Sequence, residues 1–153
     1  MMLRTKISRF LYNIFTYLAS PLLIIHLVFR SISDRRYINR IAERFGFYER
    51  CNNNETIWVH AVSYGEVNAA QSLVRSLLEE YPESKLIFTC TTPTASALIE
   101  DLFQDKVISV YMPYDLKGPV KRFFKWAKPK MAIIIETEIW PNIYHYCGSK
   151  EIP

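Results

Sequence analysis

Two short stretches carry the side chains best suited to chemistry. In IWVHAVSYGE, Ile57 to Glu66, an apolar run passes through Ser63 and Gly65 to Glu66 and then into the periodic run VNAAQSLVRSLLEEY. In MAIIIETEIWPN, residues 131–142, a second apolar run ends at Glu136, with Glu138 close behind it. A carboxylate at such a strand-to-helix junction, where the chemistry of α/β folds usually sits, can be a reactive group. The free N–H groups of a helix start favour anionic ligands at the same place.

Each pattern also has a purely structural reading. Ser63 and Glu66 fit S-x-x-E, a capping box in which Ser63 takes the N–H of residue 66 and the Glu carboxylate reaches back to the N–H of Ser63. Gly65 then supplies a torsion that other residues resist. Glu136 and Glu138 resist joint ionisation unless cations or hydrogen bonds compensate, and one can cap the following helix while the other faces solvent. Residue types and spacing leave these alternatives open.

The elements that would position these groups are legible from residue 57 onward. Apolar runs IWVHA (57–61), KLIFTC (85–90), VISVYM (107–112) and MAIIIE (131–136) alternate with helical stretches at about 66–80, 93–104 and 117–127. This β-α-β-α-β-α-β order predicts an α/β fold, a parallel sheet of about four or five strands covered on both faces. Pro93 after Thr92 suits a helix start. Ligands of open α/β sheets bind beyond the carboxyl ends of the strands, so the informative residues are His60 to Glu66, Thr89 to Thr94, Pro113 to Asp115 and Glu136 to Asn142. Neither G-x-G-x-x-G nor G-x-x-x-x-G-K-[ST] occurs among only four glycines, so the nucleotide fingerprints are absent. Lys117, Lys121, Arg122, Lys125 and Lys128 make the third helix basic, a solvated face by default or a contact for phosphate or anionic lipid.

At 153 residues the chain is the size of one ordinary domain. Its net charge of +4 is divided, with residues 1–50 at net +6 and residues 51–153 at net −2. Cys51, Cys90 and Cys147 form no C-x-x-C pattern, which supports neither a disulfide framework nor a zinc site. Cys90, inside an apolar run, reads as a buried inert thiol.

Residues 10–29, FLYNIFTYLASPLLIIHLVF, carry no formal charge and approach the length a membrane-spanning helix needs. Asn13, Thr16, Ser20, Pro21 and His26 interrupt them, and no removable signal pattern is present. Basic residues on both sides favour a cytoplasmic C-terminal side only weakly. Three arrangements fit: a single anchor, a Pro21-broken amphipathic pair in the interface with Tyr12, Tyr17 and Phe29 at headgroup level, or a buried helical hairpin. The Arg-rich run SDRRYINRIAERFGFYER that follows reads as a contact for anionic headgroups or as a solvated helix ending at Gly46.

The segments RFGFYER (44–50), HAVSYGE (60–66), TCTTPTAS (89–96), YMPYDL (111–116), VKRFF (120–124), PKMAIIIETEIWPN (129–142) and the final IP resemble, in order and spacing, the N-terminal half of bacterial Kdo transferase. That family moves 3-deoxy-D-manno-octulosonic acid (Kdo) from its CMP ester onto lipid A precursor. The resemblance implies a Rossmann-like acceptor-side domain of a B-type glycosyltransferase at residues 51–153, preceded by a membrane-attachment segment at 1–32 and a basic helical connector at 33–50. It implies Glu66 as general base and Glu136 as transition-state stabiliser, with Ser63, Gly65, Thr92, Thr94, Lys121, Arg122 and Lys125 as acceptor-binding candidates. No metal or cofactor is expected. CMP-Kdo is expected to bind a second half that this sequence lacks, leaving an acceptor-side fragment whose activity alone is in doubt. The implied partners are lipid A precursor, the cytoplasmic side of the inner membrane and possibly a separate donor-binding domain, and no nucleic acid. Two residues depart from the family pattern: Tyr64, where a small aliphatic is common, and Ala95, where Gly is usual. A non-catalytic membrane-bound binding or assembly protein is the alternative.

Overall fold

The computed structural model describes residues 2–49, 55–136 and 138–153, and the side chains from Ile7 onward within them. Cys51 and Thr137 lie outside the described residues. The elements are α1 (Met2–Ser33), α2 (Ile41–Arg44), β1 (Thr56–His60), α3 (Tyr64–Glu80), β2 (Lys85–Cys90), α4 (Pro93–Phe103), β3 (Val107–Tyr111), α5 (Lys117–Ala127), β4 (Pro129–Ile134) and α6 (Pro141–Ser149). The four strands form one parallel sheet in the order β3-β2-β1-β4. This is the α/β architecture the apolar runs predict, with boundaries moved by a few residues at most.

Alternation along the buried strands divides the core between two faces. Ile57, Val59, Leu86, Phe88 and Cys90 pack against Val67, Val74, Ala95, Ile99 and Phe103 of α3 and α4. Trp58, Ile87 and Val110 pack against Val120, Phe123, Phe124 and Ile143 of α5 and α6. β1 is buried along its whole length, as a central strand must be. Cys90 is fully buried, and desolvation pushes its thiol up to about 12, in keeping with an inert core position.

β3 is an edge strand, and its outward backbone groups are closed by side chains from the Arg-rich connector. Arg40 Nη2 donates to the Ser109 carbonyl at 2.8 Å, and Glu43 Oε2 accepts from the Tyr111 N–H at 2.7 Å. The two side chains also pair with each other, Nε to Oε1 at 2.8 Å. Arg44 turns inward over the Tyr111 ring, 4.2 Å from its centroid, and is only 4% exposed. The connector is therefore not a solvated helix at Arg40 and Arg44, whose side chains are engaged within the domain, whereas Arg35 and Arg36 in its first turn face outward. Gly46 follows α2 with φ of +79°, and a Cβ there would stand 2.5 Å from the Pro119 carbonyl oxygen, so the turn closes on α5 only with glycine.

α1 is a single helix, neither broken at Pro21 nor folded into a hairpin. Proline removes the donor for the carbonyl four residues earlier, and the Ser20 hydroxyl supplies one instead, donating to Tyr17 O at 2.7 Å. Tyr12 and Tyr17, expected at headgroup level, face the domain: Tyr12 Oη donates to Asp115 Oδ2 at 2.8 Å, and Tyr17 Oη accepts from Gly118 N at 3.1 Å. Leu27 and Ser31 are buried further along the same face. The opposite face leaves Phe15, Leu18, Leu22 and Phe29 two-thirds or more exposed, apart from Leu22 at 65%.

Asp115, 6% exposed, ties these parts together. Its carboxylate accepts from Asn142 N at 3.0 Å and Ile143 N at 3.1 Å, capping α6, as well as from Tyr12. Burial raises its pKa, opposed by those N–H groups and the Tyr12 hydroxyl. Neither Glu136 nor Glu138 caps the helix, contrary to the local reading, because the cap arrives from the β3–α5 loop.

Two outcomes follow. Asp115→Asn leaves one oxygen to serve two N–H groups and a hydroxyl, and should lower the stability of the full chain by about 2 kcal/mol in chemical denaturation, against about 1 kcal/mol for Tyr12→Phe. His60, fully buried at the end of β1, has its pKa pushed from 6.5 down to about 4 by desolvation, against a hydrogen bond with the Thr89 carbonyl and the charge of Glu66. Below pH 6.5 the unfolded chain binds the extra proton, so this contribution is fully present above pH 6.5 and is lost as pH falls towards 4. Between pH 7 and pH 5 it should remove about 2 kcal/mol, a loss absent in His60→Gln; equal losses in both proteins would contradict the assignment.

Candidate functional site

All four strands end at one edge of the sheet, and the loops that leave them build the site. Thr91 joins the first two loops, its N–H donating to Val62 O at 3.3 Å and its hydroxyl to the same oxygen at 3.1 Å. The third loop, Met112 to Leu116, carries Asp115. The fourth leaves β4 where Ile135 N donates to His60 O at 2.8 Å, so Glu136 emerges beside the β1–α3 junction.

Glu66 lies half-buried in the first turn of α3. Its Oε2 accepts from Val62 N at 2.6 Å and its Oε1 from Ser63 Oγ at 2.9 Å, while Ser63 Oγ accepts from Glu66 N at 3.4 Å. The capping box is present in altered form, since the carboxylate serves Val62 rather than the Ser63 N–H. Cap and candidate base are thus one arrangement, which fixes the carboxylate toward the strand ends. Gly65 is not at a strained torsion: it sits within the helix without a positive φ, and a Cβ would meet nothing within 4 Å. Its lack of a side chain leaves the helix start open to approach.

Glu136 is exposed, with φ of +70°. A non-glycine residue in the left-handed region costs roughly 1–3 kcal/mol unless its surroundings enforce it. The Glu136 side chain is exposed at the end of β4 and makes no hydrogen bond among the described residues. Thr92 caps α4 through Ala95 N at 3.2 Å and touches the exposed Thr94 hydroxyl at 3.2 Å.

The basic helix α5 covers the other face of the sheet, and its candidates separate. Arg122 donates from Nε and Nη2 to the Phe45 carbonyl at 3.0 and 2.6 Å and stacks over Phe47, so its donors close the Gly46 turn. Lys121 joins Arg9, Lys117 and His145 around a 220 Å³ recess between α1, α5 and α6. Lys125 is exposed elsewhere on the helix. None of the three lies at the Glu66 turn.

A cavity of about 300 Å³ does lie at the strand ends. Val62, Thr91, Thr92, Met112, Pro113, Tyr114, Glu138 and Trp140 line it from the four loops; Tyr37 and Arg44 add the connector, and His26, Leu27 and Arg30 of α1 form the remaining wall. A larger recess of 440 Å³ sits along the β3 edge, where Arg40 already pairs with Glu43 and Glu100. Sequence reading placed Asp115 and Trp140 among the strand-end residues and missed Arg44 and the α1 wall as parts of this edge. An arginine within a charge run carries no local sign of burial, and helix α1 is separated from the strand ends by tens of residues. Among the described residues no three His, Cys, Asp or Glu side chains converge as a metal site would require.

Chemically, the edge offers a fixed carboxylate at the end of β1, a second at the end of the neighbouring β4, and a cleft beside them. Residues 39–153 match the family model described as 3-deoxy-D-manno-octulosonic-acid transferase (kdotransferase). A 3-deoxy-D-manno-octulosonic acid transferase of Haemophilus influenzae is 40% identical over 95% of this chain and 34% of its own length. A probable mitochondrial 3-deoxy-D-manno-octulosonic acid transferase of Arabidopsis thaliana is 33% identical over 94% of the chain and 32% of its own. A Bordetella pertussis transferase of the same name is 36% identical over 63% of the chain and 23% of its own. The chain spans about a third of the length of the first two of these curated relatives. With the family model covering the whole sheet and both candidate carboxylates, the chain belongs to the Kdo transferase family.

Proposed function

We propose that the chain is the acceptor-side part of a glycosyltransferase that moves Kdo from CMP-Kdo to a lipid A precursor in lipopolysaccharide synthesis. The observation that carries this is Glu66, held by Val62 and Ser63 at the strand ends beside a cleft that α1 walls off. An acceptor hydroxyl within reach of Glu66 gives up its proton to the carboxylate as its oxygen bonds to the anomeric carbon. The bond from that carbon to the phosphate oxygen breaks, and CMP leaves with the electron pair. Glu136 offers negative charge to the ketose centre as it turns cationic. Ser63, Gly65, Thr92 and Thr94 frame the approach of the acceptor, while Lys121 and Lys125 meet anionic groups only from the α5 side. The reading gives no step to a metal or cofactor and places CMP-Kdo on a second α/β half.

The same reading sets α1 in the plane of the inner membrane's cytoplasmic surface. Ile7–Ser33 is long and apolar enough to cross a bilayer. Yet α1 is docked from Tyr12 to Ser31, roughly 28 Å of helix, and a transverse orientation would carry Asp115, Gly118 and Asn142 into hydrocarbon. Lying flat, it presents Phe15, Leu18, Leu22 and Phe29 to lipid, and Arg9, Lys117 and Lys121 to headgroups.

With a matching donor half supplied, Glu66→Gln should transfer Kdo at least about 100-fold more slowly and melt close to the parent; near-parental transfer would leave Glu66 as a helix cap alone. For α1, broadening by lipids spin-labelled at one depth should affect the amides of Phe15 and Phe29 alike, whereas a spanning helix gives unequal broadening. Replacing Phe15, Leu18, Leu22 and Phe29 together with Gln should cut binding to anionic vesicles by about tenfold or more.

A further inference from the structure

The recess between α1, α5 and α6 gathers positive charge that nothing in its lining balances. Arg9 lines it from α1, Lys117 and Lys121 from α5 and His145 from α6, around a volume of about 220 Å³. No Asp or Glu lines it, and none of these four side chains has an acidic partner among the described residues. Lys117 and Lys121 stand four residues apart on one helix face, where like charges repel. Desolvation and the charge of Arg9 hold His145 below the usual histidine range. Beneath them Val120 is buried, and Asn142, 5% exposed, spends its amide on Asn13 Oδ1 at 3.0 Å and Asp115 O at 2.7 Å. The Asp115 carboxylate does not supply the counter-charge, since it accepts from Tyr12, Asn142 N and Ile143 N and does not line the recess.

A second hollow adjoins the first. Asn13 and Lys117 line both, and beyond them the walls change to Phe10, Ile14, Tyr17 and Leu18. Residues at four-residue spacing share a helix face, so Arg9 and Asn13 border the cationic recess while Phe10, Ile14 and Leu18 form an apolar row beside it. Phe10 and Leu18 are 64% and 76% exposed. A soluble anion would use only the first hollow. An occupant that fills both has an anionic head and an apolar tail, and the lysine ammonium groups suit a phosphate, which they meet as point charges.

We propose that this recess holds the phosphate headgroup of one anionic glycerophospholipid, whose acyl chain lies along Phe10, Ile14 and Leu18. The lipid is a ligand separate from the sugar acceptor, because its site is built on α5 and α6 and none of its cations lies at the Glu66 turn. Once bound, its head joins Arg9 of α1 to Lys117 and Lys121 of the domain and fastens the start of the helix. That the lipid arrives from a bilayer lying along α1 rests on the orientation proposed above; the cationic recess and its apolar extension do not.

The test uses the full chain in a neutral detergent at fixed pH and ionic strength. It has three histidines, so three imidazole Cε1–H resonances are followed, with His145→Asn identifying one of them. Dihexanoyl phosphatidylglycerol should move the His145 resonance saturably towards its protonated position, since a nearby anion favours the charged form, and dihexanoyl phosphatidylcholine should not. Glycerophosphoglycerol, the same headgroup without chains, should act only at about tenfold or higher concentration; equal potency would leave an anion site and overturn the lipid. Lys117→Gln with Lys121→Gln should raise half-saturation by phosphatidylglycerol about tenfold or more. Lys106→Gln with Lys128→Gln removes the same charge outside the lining and should change it less than about twofold; equal losses in the two pairs would reduce the binding to surface charge at large and overturn the site. Phe10→Ser with Leu18→Ser should weaken phosphatidylglycerol several-fold and leave glycerophosphoglycerol unchanged, whereas parental lipid binding by this pair overturns the acyl groove. A His145 resonance indifferent to phosphatidylglycerol, or moved equally by phosphatidylcholine, overturns the proposal. Neither a donor half nor a bilayer enters this titration, so failure of sugar transfer or of the in-plane orientation is read separately from failure of lipid binding.

Discussion

The Asp115 carboxylate stands between three parts of the molecule, and the Asn142 side chain, which donates to Asn13 Oδ1 and to Asp115 O, joins the same three. The carboxylate accepts from the first two N–H groups of α6 and from Tyr12 of α1, and its own loop joins β3 to α5. A helix start needs acceptors for its free N–H groups, and α6, which follows β4, finds one on the loop after β3, with two strands between them in the sheet. Because the carboxylate is shielded from water, each of these hydrogen bonds matters more than it would at a surface. The position of the Glu138 and Trp140 loop, which leads directly into α6, depends on this anchor, and so does the placement of α1 against the sheet edge.

From that anchor the electrostatics of the strand ends follow. The crevice at the strand ends has Arg44, Arg30 and His26 in its walls and Glu138 as its carboxylate, while Glu66 and Glu136 stand on the turns that leave β1 and β4. The two candidate carboxylates sit on the β1 and β4 turns, and the arginines come from the connector and α1, meeting Glu138 in the lining of the crevice. Tyr111 contributes to both sides of the β3 edge, with its ring under Arg44 and its N–H held by Glu43. His60, uncharged at neutral pH through burial, adds no cation to the turn that holds Glu66.

The sheet and its helices were legible because their signals are local. Continuous apolar runs fixed the four strands, Pro93 and Ser63 marked two helix starts, and the strand ends named Glu66, Thr92 and Glu136 as residues to watch. What escaped depends on partners far along the chain. Nothing near Arg44 in sequence shows that Tyr111 and Thr91 will enclose it. The caps assigned to Glu136 and Glu138 fail because Asp115 reaches α6 first, and Gly65 reads as a turn glycine although the helix has already begun. Pro21 reads as a break, yet a neighbouring serine hydroxyl repairs the one carbonyl it disturbs. Phe45 and Phe47 claim the Arg122 guanidinium, so of the three binding candidates on α5 only Lys121 and Lys125 remain exposed.

The closed β3 edge gives the sheet a direction of growth. With Ser109 O and Tyr111 N occupied by Arg40 and Glu43, a strand arriving on that side finds its pairing groups already taken. The other border behaves differently: Ala132 N on β4 accepts the company of backbone alone, donating to the carbonyl of Pro153 at 2.9 Å. A polypeptide that enlarges this sheet must therefore add beyond β4, on the side of Glu136, so whatever docks there comes to lie next to the second carboxylate and leaves the arginine-lined cleft unobstructed.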